Sequence, residues 1–163
     1  MYGQNLNALY HKRLRQGQRG QLWSALRGRS RRLASLAEVE AQYIVRGRHS
    51  AGLRTIPVDQ IQGSSGRYDD FDCDFCPLQD HTQYRWLSVA RARQEGKSLP
   101  PVELVQVGEA YYCLDGHHRI SVARAFGQLD IEADVTVWQV REPRTAAAPA
   151  ARQPMRLAHA LAA

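Results

Sequence analysis

The sequence has little of what marks secreted, membrane-spanning or coiled-coil proteins. Its three cysteines are an odd number, which argues against a disulfide framework. No apolar run is long enough to span a bilayer, and the N-terminus lacks the apolar stretch of a signal peptide. No heptad pattern persists long enough for a coiled coil. We therefore expect a cytoplasmic chain without a membrane partner, built as one domain with or without appendages.

Acidic residues are scarce in the first third of the chain. Residues 1–54 carry eleven Arg or Lys against two Glu, a net charge of +9, whereas the remaining residues carry eleven basic and fourteen acidic groups, a net charge of −3. Lys12 is the only lysine of the basic part, so guanidinium groups dominate, and these suit bidentate phosphate contacts. The asymmetry indicates a polyanion partner such as nucleic acid. A solubilising helical arm fits the charge equally well.

Residues 1–52 are predicted to form a helical, basic N-terminal extension. An apolar stripe over residues 5–16 indicates an amphipathic helix that ends near Gly17 and Gly20, followed by a second short helix. The sequence Ser-Leu-Ala-Glu at 35–38 is a capping box that begins another helix. Residues 47–52 are interpreted as a hinge.

Residues 53–140 are predicted to form a small α+β domain, with a mixed sheet of about four strands and two or three flanking helices. The Ala- and Pro-rich residues 141–163 are predicted to be a disordered tail. The expected elements of the domain are an extended segment at 53–61, a flexible turn at 63–66, a helix from Thr82 to Glu95, a hairpin turning at Gly108 and Glu109, a helix over 117–126 ended by Gly127, and a closing strand over 131–138.

The loop over residues 67–77 combines acidic and aromatic residues. Its alternating aspartates at 70, 72 and 74 resemble the start of an EF-hand, but Phe75 stands where that loop needs glycine, so we reject calcium binding. Cys73 and Cys76 form a C-x-x-C without a second pair, which disfavours zinc, and their acidic surroundings disfavour a redox role.

We instead interpret this loop as a lid or substrate loop. In this hypothesis Phe71 and Phe75 pack down onto the domain. Arg67, Asp70 and Asp72 face a pocket.

The most informative stretch is Asp-Gly-His-His-Arg at 115–119, between a predicted strand and a predicted helix. Free N–H groups and the positive end of the helix dipole favour an anion there, and Arg119 adds charge. Gly116 allows the backbone to approach a bulky ligand. The competing interpretation is that Asp115 caps the helix and that the histidines are surface residues.

The order of these elements together with the D-G-H-H-R motif resembles the ParB/sulfiredoxin superfamily over residues 56–138. The resemblance implies that Gly116, His118 and Arg119 hold nucleotide phosphates, CTP or ATP with Mg²⁺. His117 falls where sulfiredoxins have their catalytic cysteine, and imidazole cannot form the sulfur-linked intermediates of that chemistry, so sulfinic acid reduction is not expected. The D-G-H-H-R form looks most like the branch that contains free serine kinases.

The resemblance implies a nucleotide-binding regulatory or switch domain in a DNA-associated context. Backbone N–H groups of Gly116, His117 and His118 would hold the phosphates, Arg119 would clamp them, and Asp115 would orient the loop or bind magnesium through water. No helix-turn-helix region is seen after residue 138, so DNA would be bound non-specifically through the basic extension.

Three alternatives remain. A small-metabolite kinase would need a base, for which Asp115, His117 or Asp72 are candidates. A metal-dependent nuclease would need a further ligand on the helix, and residues 120–127 offer none. A structural adaptor would need no ligand at all. The oligomeric state stays open, a homodimer included.

Overall fold

The computed structural model describes residues 5–141 of the chain. The first four residues and residues 142–163 lie outside the described residues, and with them all of the predicted tail except Arg141, which ends a strand. Within the described range four helices accompany one six-stranded sheet. The α+β fold class with a mixed sheet is confirmed.

The sheet has the order β1-β3-β5-β4-β6-β2. Its antiparallel pairs are β4 with β5 and β2 with β6, and the other three neighbouring pairs are parallel. The strands are β1 (Ala34–Ser35), β2 (Ile44–Pro57), β3 (Ile61–Ser64), β4 (Val102–Val107), β5 (Ala110–Asp115) and β6 (Asp130–Arg141). The helices are α1 (Leu6–Leu26), α2 (Leu36–Gln42), α3 (Gln83–Gln94) and α4 (His117–Ala125), with 3₁₀ turns at Val58–Gln60 and Asp80–Thr82.

The predicted break in the first helix is wrong, because α1 runs without interruption through both glycines. Gly17 is buried where the helix packs on the acidic loop. A Cβ at this position would lie 2.7 Å from the carbonyl oxygen of Pro77 and 3.0 Å from Cys76 Cβ. The glycine therefore serves close packing rather than helix termination.

Helix α1 belongs to the folded body rather than to a detached arm. It buries Tyr10 and Leu14 in a cluster with Trp86 and Ala90 of α3. The Tyr10 hydroxyl lies 2.9 Å from Oγ1 of Thr82. The rings of Tyr10 and Trp86 pack edge-to-face, with 5.5 Å between their centroids. The helical character of this segment is confirmed.

The predicted hinge at 47–52 is also wrong, because these residues lie inside strand β2. β2 pairs with β6 from Ile44–Arg141 to Pro57–Asp130. Two register shifts, between Val45 and Gly47 and between Ser50 and Gly52, absorb the glycines as bulges. The long partner strand thus overrides the local flexibility of the sequence.

The predicted turn at 63–66 begins inside strand β3, which ends at Ser64. Gly63 lies between β1 and β5, and a Cβ there would lie 2.5 Å from the carbonyl oxygen of Ala34. This glycine allows close approach of strands and does not mark a turn.

Several local predictions are confirmed. Ser35 caps α2 by accepting a hydrogen bond from the Glu38 N–H. The β4–β5 hairpin turns at Gly108, which has φ 61°, and Gly127 has φ 67° just after α4. The main core lies between α4 and the sheet and includes Ile120, Leu104 and Val135.

The acidic loop is organised around Asp72, which is fully buried. Its Oδ1 accepts hydrogen bonds from the N–H groups of Asp74 (3.0 Å) and Cys76 (2.8 Å), and its Oδ2 accepts one from Arg31 Nη2 (3.0 Å). Phe71 and Phe75 are fully buried, as predicted. Asp72 does not face a pocket, so its predicted role is wrong. Its carboxylate oxygens instead accept hydrogen bonds from N–H groups of the loop and from Arg31.

We expect Asp72→Ala to lower the free energy of unfolding by about 3 kcal/mol, because the buried N–H of Cys76, the half-buried N–H of Asp74 and Arg31 lose their shared acceptor. Urea unfolding followed by circular dichroism measures this change. Asp69→Ala is the matched control: Asp69 is 92% exposed and lies 3.8 Å from its cationic partner, so it should change stability by less than about 0.5 kcal/mol. Equal losses in the two variants would contradict the role given to Asp72.

Candidate functional site

Gly116 connects strand β5 to helix α4 in a conformation that favours glycine. Its φ is 105°, and a Cβ at this position would lie 2.5 Å from Val102 Cγ1. Gly116 is the N-cap residue and supplies no side-chain hydrogen bond to the helix. The interpretation of Asp115 as the cap is therefore wrong. The carboxylate of Asp115 is 66% exposed and lies 2.5 Å from Arg119 Nη2.

The start of α4 presents N–H groups that the helix itself does not use. The first intrahelical hydrogen bond runs from the Ile120 N–H to the Gly116 carbonyl at 2.9 Å. The N–H groups of His117, His118 and Arg119 precede it and have no acceptor within the helix. They coincide with the positive end of the helix dipole, which favours a bound anion.

A pocket of about 340 Å³ opens at this helix start. That volume is within the roughly 300–1,000 Å³ of small-molecule sites. Its lining combines α4, α3, the loop that follows β3, the segment before β4 and the end of β5. The lining residues are Arg67, Arg85, Val89, Leu99, Pro100, Asp115, Gly116, His117, His118 and Arg119. The structure thus brings the D-G-H-H-R residues together with Arg67.

His117 is held in place by Ser64 at the end of β3. Ser64 Oγ lies 2.5 Å from His117 Nε2 and also donates to the Gly66 carbonyl. This contact fixes the orientation of the imidazole ring at the end of β3. Burial lowers the pKa of His117 to about 4, so the ring is neutral at pH 7.

His118 has a polar atom without a partner. The residue is 8% exposed, and its buried Nδ1 has no hydrogen-bond partner among the described residues. The edge of its ring meets Phe71, with 5.2 Å between the ring centroids. Burial, and then the charges of Arg67 and Arg85, lower the pKa of His118 to about 4. An unpartnered buried nitrogen is costly for the protein alone and is available to a ligand.

Arg119 lines the pocket, but the protein uses most of its donors. Nη1 donates to the carbonyl oxygens of Pro100 (2.6 Å) and Pro101 (2.7 Å), and Nη2 donates to Asp115. The extended Pro-Pro segment before β4 presents these carbonyls. Arg119 therefore braces the segment against α4 and adds positive charge to the pocket, with few donors left over.

Arg67 and Arg85 are the exposed cations of the pocket. Arg67 has a φ of 58° and donates to Asp70 at 3.0 Å, and His81 Nε2 lies 2.8 Å from the same carboxylate. Asp70 is engaged by these two residues and is not among the lining residues. Arg85 has no hydrogen-bond or ion-pair partner in the described part of the chain. The sequence prediction missed it, because nothing in the helix pattern of α3 marks position 85.

The cysteines take no part in this pocket. Cys73, Cys76 and Cys113 are free thiols, and burial raises the pKa of Cys76 to about 12. Over residues 5–141 no group of three or more His, Cys, Asp or Glu side chains is placed to hold a metal ion. In the same range no helix is long and apolar enough to cross a membrane.

No family model matches the chain, and no curated protein sequence matches it. Among solved structures, the crystal structure of sulfiredoxin from Arabidopsis thaliana is similar to it, with 17% sequence identity over 51% of this chain and 82% of that chain and a TM-score of 0.39. A likeness at this level assigns no role to any residue of the pocket.

We expect stability to fall as the pH drops from 6.5 towards 4. Both histidines have a pKa near 4 in the folded protein and about 6.5 when unfolded, so the unfolded state binds more protons in this window. At pH 5 the loss is of the order of 2 kcal/mol for each histidine.

Urea unfolding at pH 7 and pH 5 measures this loss. His118→Gln removes one of the two groups, so its stability should depend less on pH over this interval. His49→Gln is the control, since His49 is exposed on β2. A pH dependence that is unchanged in His118→Gln would contradict a buried, neutral His118.

Proposed function

We propose that this protein is a nucleotide-binding regulatory or switch domain that holds the phosphates of CTP or ATP at the start of α4. The observation that supports this most is the buried, unpartnered Nδ1 of His118 beside the exposed guanidinium of Arg85. A phosphate there would give the nitrogen a partner and neutralise the cations around it.

In this proposal the residues of the pocket have different roles in holding the nucleotide. The free N–H groups at the start of α4 contact phosphate oxygens, and Arg67 and Arg85 supply guanidinium donors. Arg119 contributes charge and keeps the Pro100 segment in place. Asp115 is the one carboxylate among the lining residues. Mg²⁺ bound to nucleotides commonly takes one or two protein carboxylates in addition to phosphate oxygens, so Asp115 fits that ion.

The switch would act through Arg67. Its guanidinium is bound to Asp70 in the structure, and a phosphate in the pocket competes for the same donors. Arg67 begins the acidic loop, which Asp72 ties to Arg31 after α1. A conformational change that follows the release of Arg67 from Asp70 would therefore be transmitted through the acidic loop to the basic N-terminal region.

Non-specific association with DNA through this basic region is the second part of the proposal. Residues 5–32 carry eight Arg or Lys and no Asp or Glu. Such a region binds phosphates without reading bases.

A small-metabolite kinase is less well supported, because the pocket offers a poor base. Asp72 is fully buried and its oxygens are occupied. The pKa of His117 is about 4 and its Nε2 is engaged by Ser64, while Asp115 is paired with Arg119. A kinase would show phosphoryl transfer to a metabolite that is lost in Asp115→Asn.

Isothermal titration with CTP, ATP, GTP and ADP, each with and without Mg²⁺, tests the nucleotide proposal. We expect at least one triphosphate to bind, and we expect Arg85→Gln to weaken it by about tenfold, since one charge-assisted contact is lost. Arg85 has no partner in the described part of the chain, so this variant should keep its thermal stability.

Arg91→Gln is the matched control, because Arg91 is exposed on the same helix and does not line the pocket. It removes the same charge and should leave the affinity within about twofold of the unmodified protein. Four flat titrations would refute nucleotide binding. Equal weakening in the two variants would show that the pocket's geometry is not involved.

A further inference from the structure

A second and much larger concavity lies on another part of the surface, at the C-terminal third of α1. It has a volume of about 1480 Å³ and lies open to solvent between this helix, the segment that follows it and the turn between β4 and β5. This exceeds the roughly 300–1,000 Å³ of small-molecule sites, so it suits an extended polymer. The residues of its lining that matter here are Trp23, Arg27, Arg29, Gln60, Gln62 and Gln106.

A row of side chains on α1 and on its C-cap residue leads into this groove. Arg15, Arg19, Trp23 and Arg27 follow one another at intervals of four residues. Successive members are about 6 Å apart along the helix axis and are neighbours on its surface, so the row winds gradually around the helix. All four are exposed, and the last two line the groove.

The charge of this row is not compensated. Arg15, Arg19 and Arg29 have no ion-pair partner within residues 5–141, and α1 contains no acidic residue. Arg31, by contrast, is paired with Asp72 and Asp74. The unpaired guanidinium groups thus form a positive surface from the middle of α1 to the groove, whose lining carries one carboxylate, that of Glu109.

Trp23 gives this surface an aromatic platform. It is 61% exposed, unlike Trp86, which is fully buried. The guanidinium carbon of Arg27 lies 5.8 Å from its ring centroid, so a cation accompanies the ring. Proteins that bind single-stranded nucleic acids use guanidinium groups beside an exposed aromatic ring, because the phosphates pair with the cations and the bases stack on the ring. The side-chain amides of Gln60, Gln62 and Gln106 line the groove, which a lipid surface would not favour.

We propose that single-stranded nucleic acid binds along this row and in the groove, with its phosphates on Arg15, Arg19 and Arg27 and a base stacked on Trp23. This inference rests on the DNA-associated part of the proposed function and is independent of nucleotide binding in the pocket at α4.

Fluorescence anisotropy with a labelled oligothymidylate of about 15 nucleotides, and with a duplex of the same length, tests the inference. At about 50 mM salt the single strand should bind more tightly than the duplex. Arg15→Gln combined with Arg19→Gln should reduce the slope of log K against log salt by about 1.4, since each single-strand phosphate contact contributes about 0.7. Trp23→Leu should weaken the single strand by about tenfold and leave the duplex unchanged.

Arg46→Gln combined with Arg54→Gln is the matched control, because both residues are exposed on β2 at the opposite edge of the sheet. It lowers the net charge equally and should keep the slope of the unmodified protein. Arg85→Gln should also keep it, which separates this surface from the nucleotide pocket.

Two results would overturn the inference in different ways. If the duplex binds as tightly as the single strand and Trp23→Leu changes neither, non-specific DNA association survives and the single-strand site does not. If neither nucleic acid binds at about 50 mM salt while vesicles with anionic phospholipid do, both the site and the DNA association are refuted.

Discussion

One buried carboxylate, that of Asp72, joins the acidic loop to the segment that follows α1. Its oxygens fix the acidic loop from within and hold Arg31 of the segment after α1. The same loop carries Phe71, whose ring packs against His118. A fully buried charge survives only with such complete hydrogen bonding. The conformation of the loop therefore constrains both the small pocket at α4 and the groove beside α1.

The pocket at α4 combines neutral imidazoles with cationic guanidinium groups. Burial and the neighbouring arginines keep the pKa of His118 low, so its Nδ1 stays uncharged and unpartnered in a positive environment. The arrangement lacks negative charge apart from Asp115, which Arg119 engages. In the proposed function a bound anion would supply the missing negative charge, and it would raise the pKa of His118 as it binds.

Sequence reasoning identified the features that depend on neighbouring residues. The strand–glycine–helix turn at Gly116, the capping box at Ser35 and the β4–β5 hairpin follow from local patterns, and the structure has them. It failed where distant segments decide the outcome. Glycines at 17, 47 and 63 suggest breaks, but each lies inside an element because another segment packs or pairs against it. The position of Arg85 in the pocket lining and the hydrogen bond of Asp72 with Arg31 also depend on such distant contacts.

The integration of α1 into the core has a consequence for how this protein can change over evolutionary time. The helix buries Tyr10 and Leu14 against α3 while it exposes arginines to solvent. Deleting it would open the cluster around Trp86, so the cationic surface cannot be discarded or exchanged as a separate module. We therefore expect substitutions in α1 to cost less stability at the outward side chains than at the inward ones, which pack in the core.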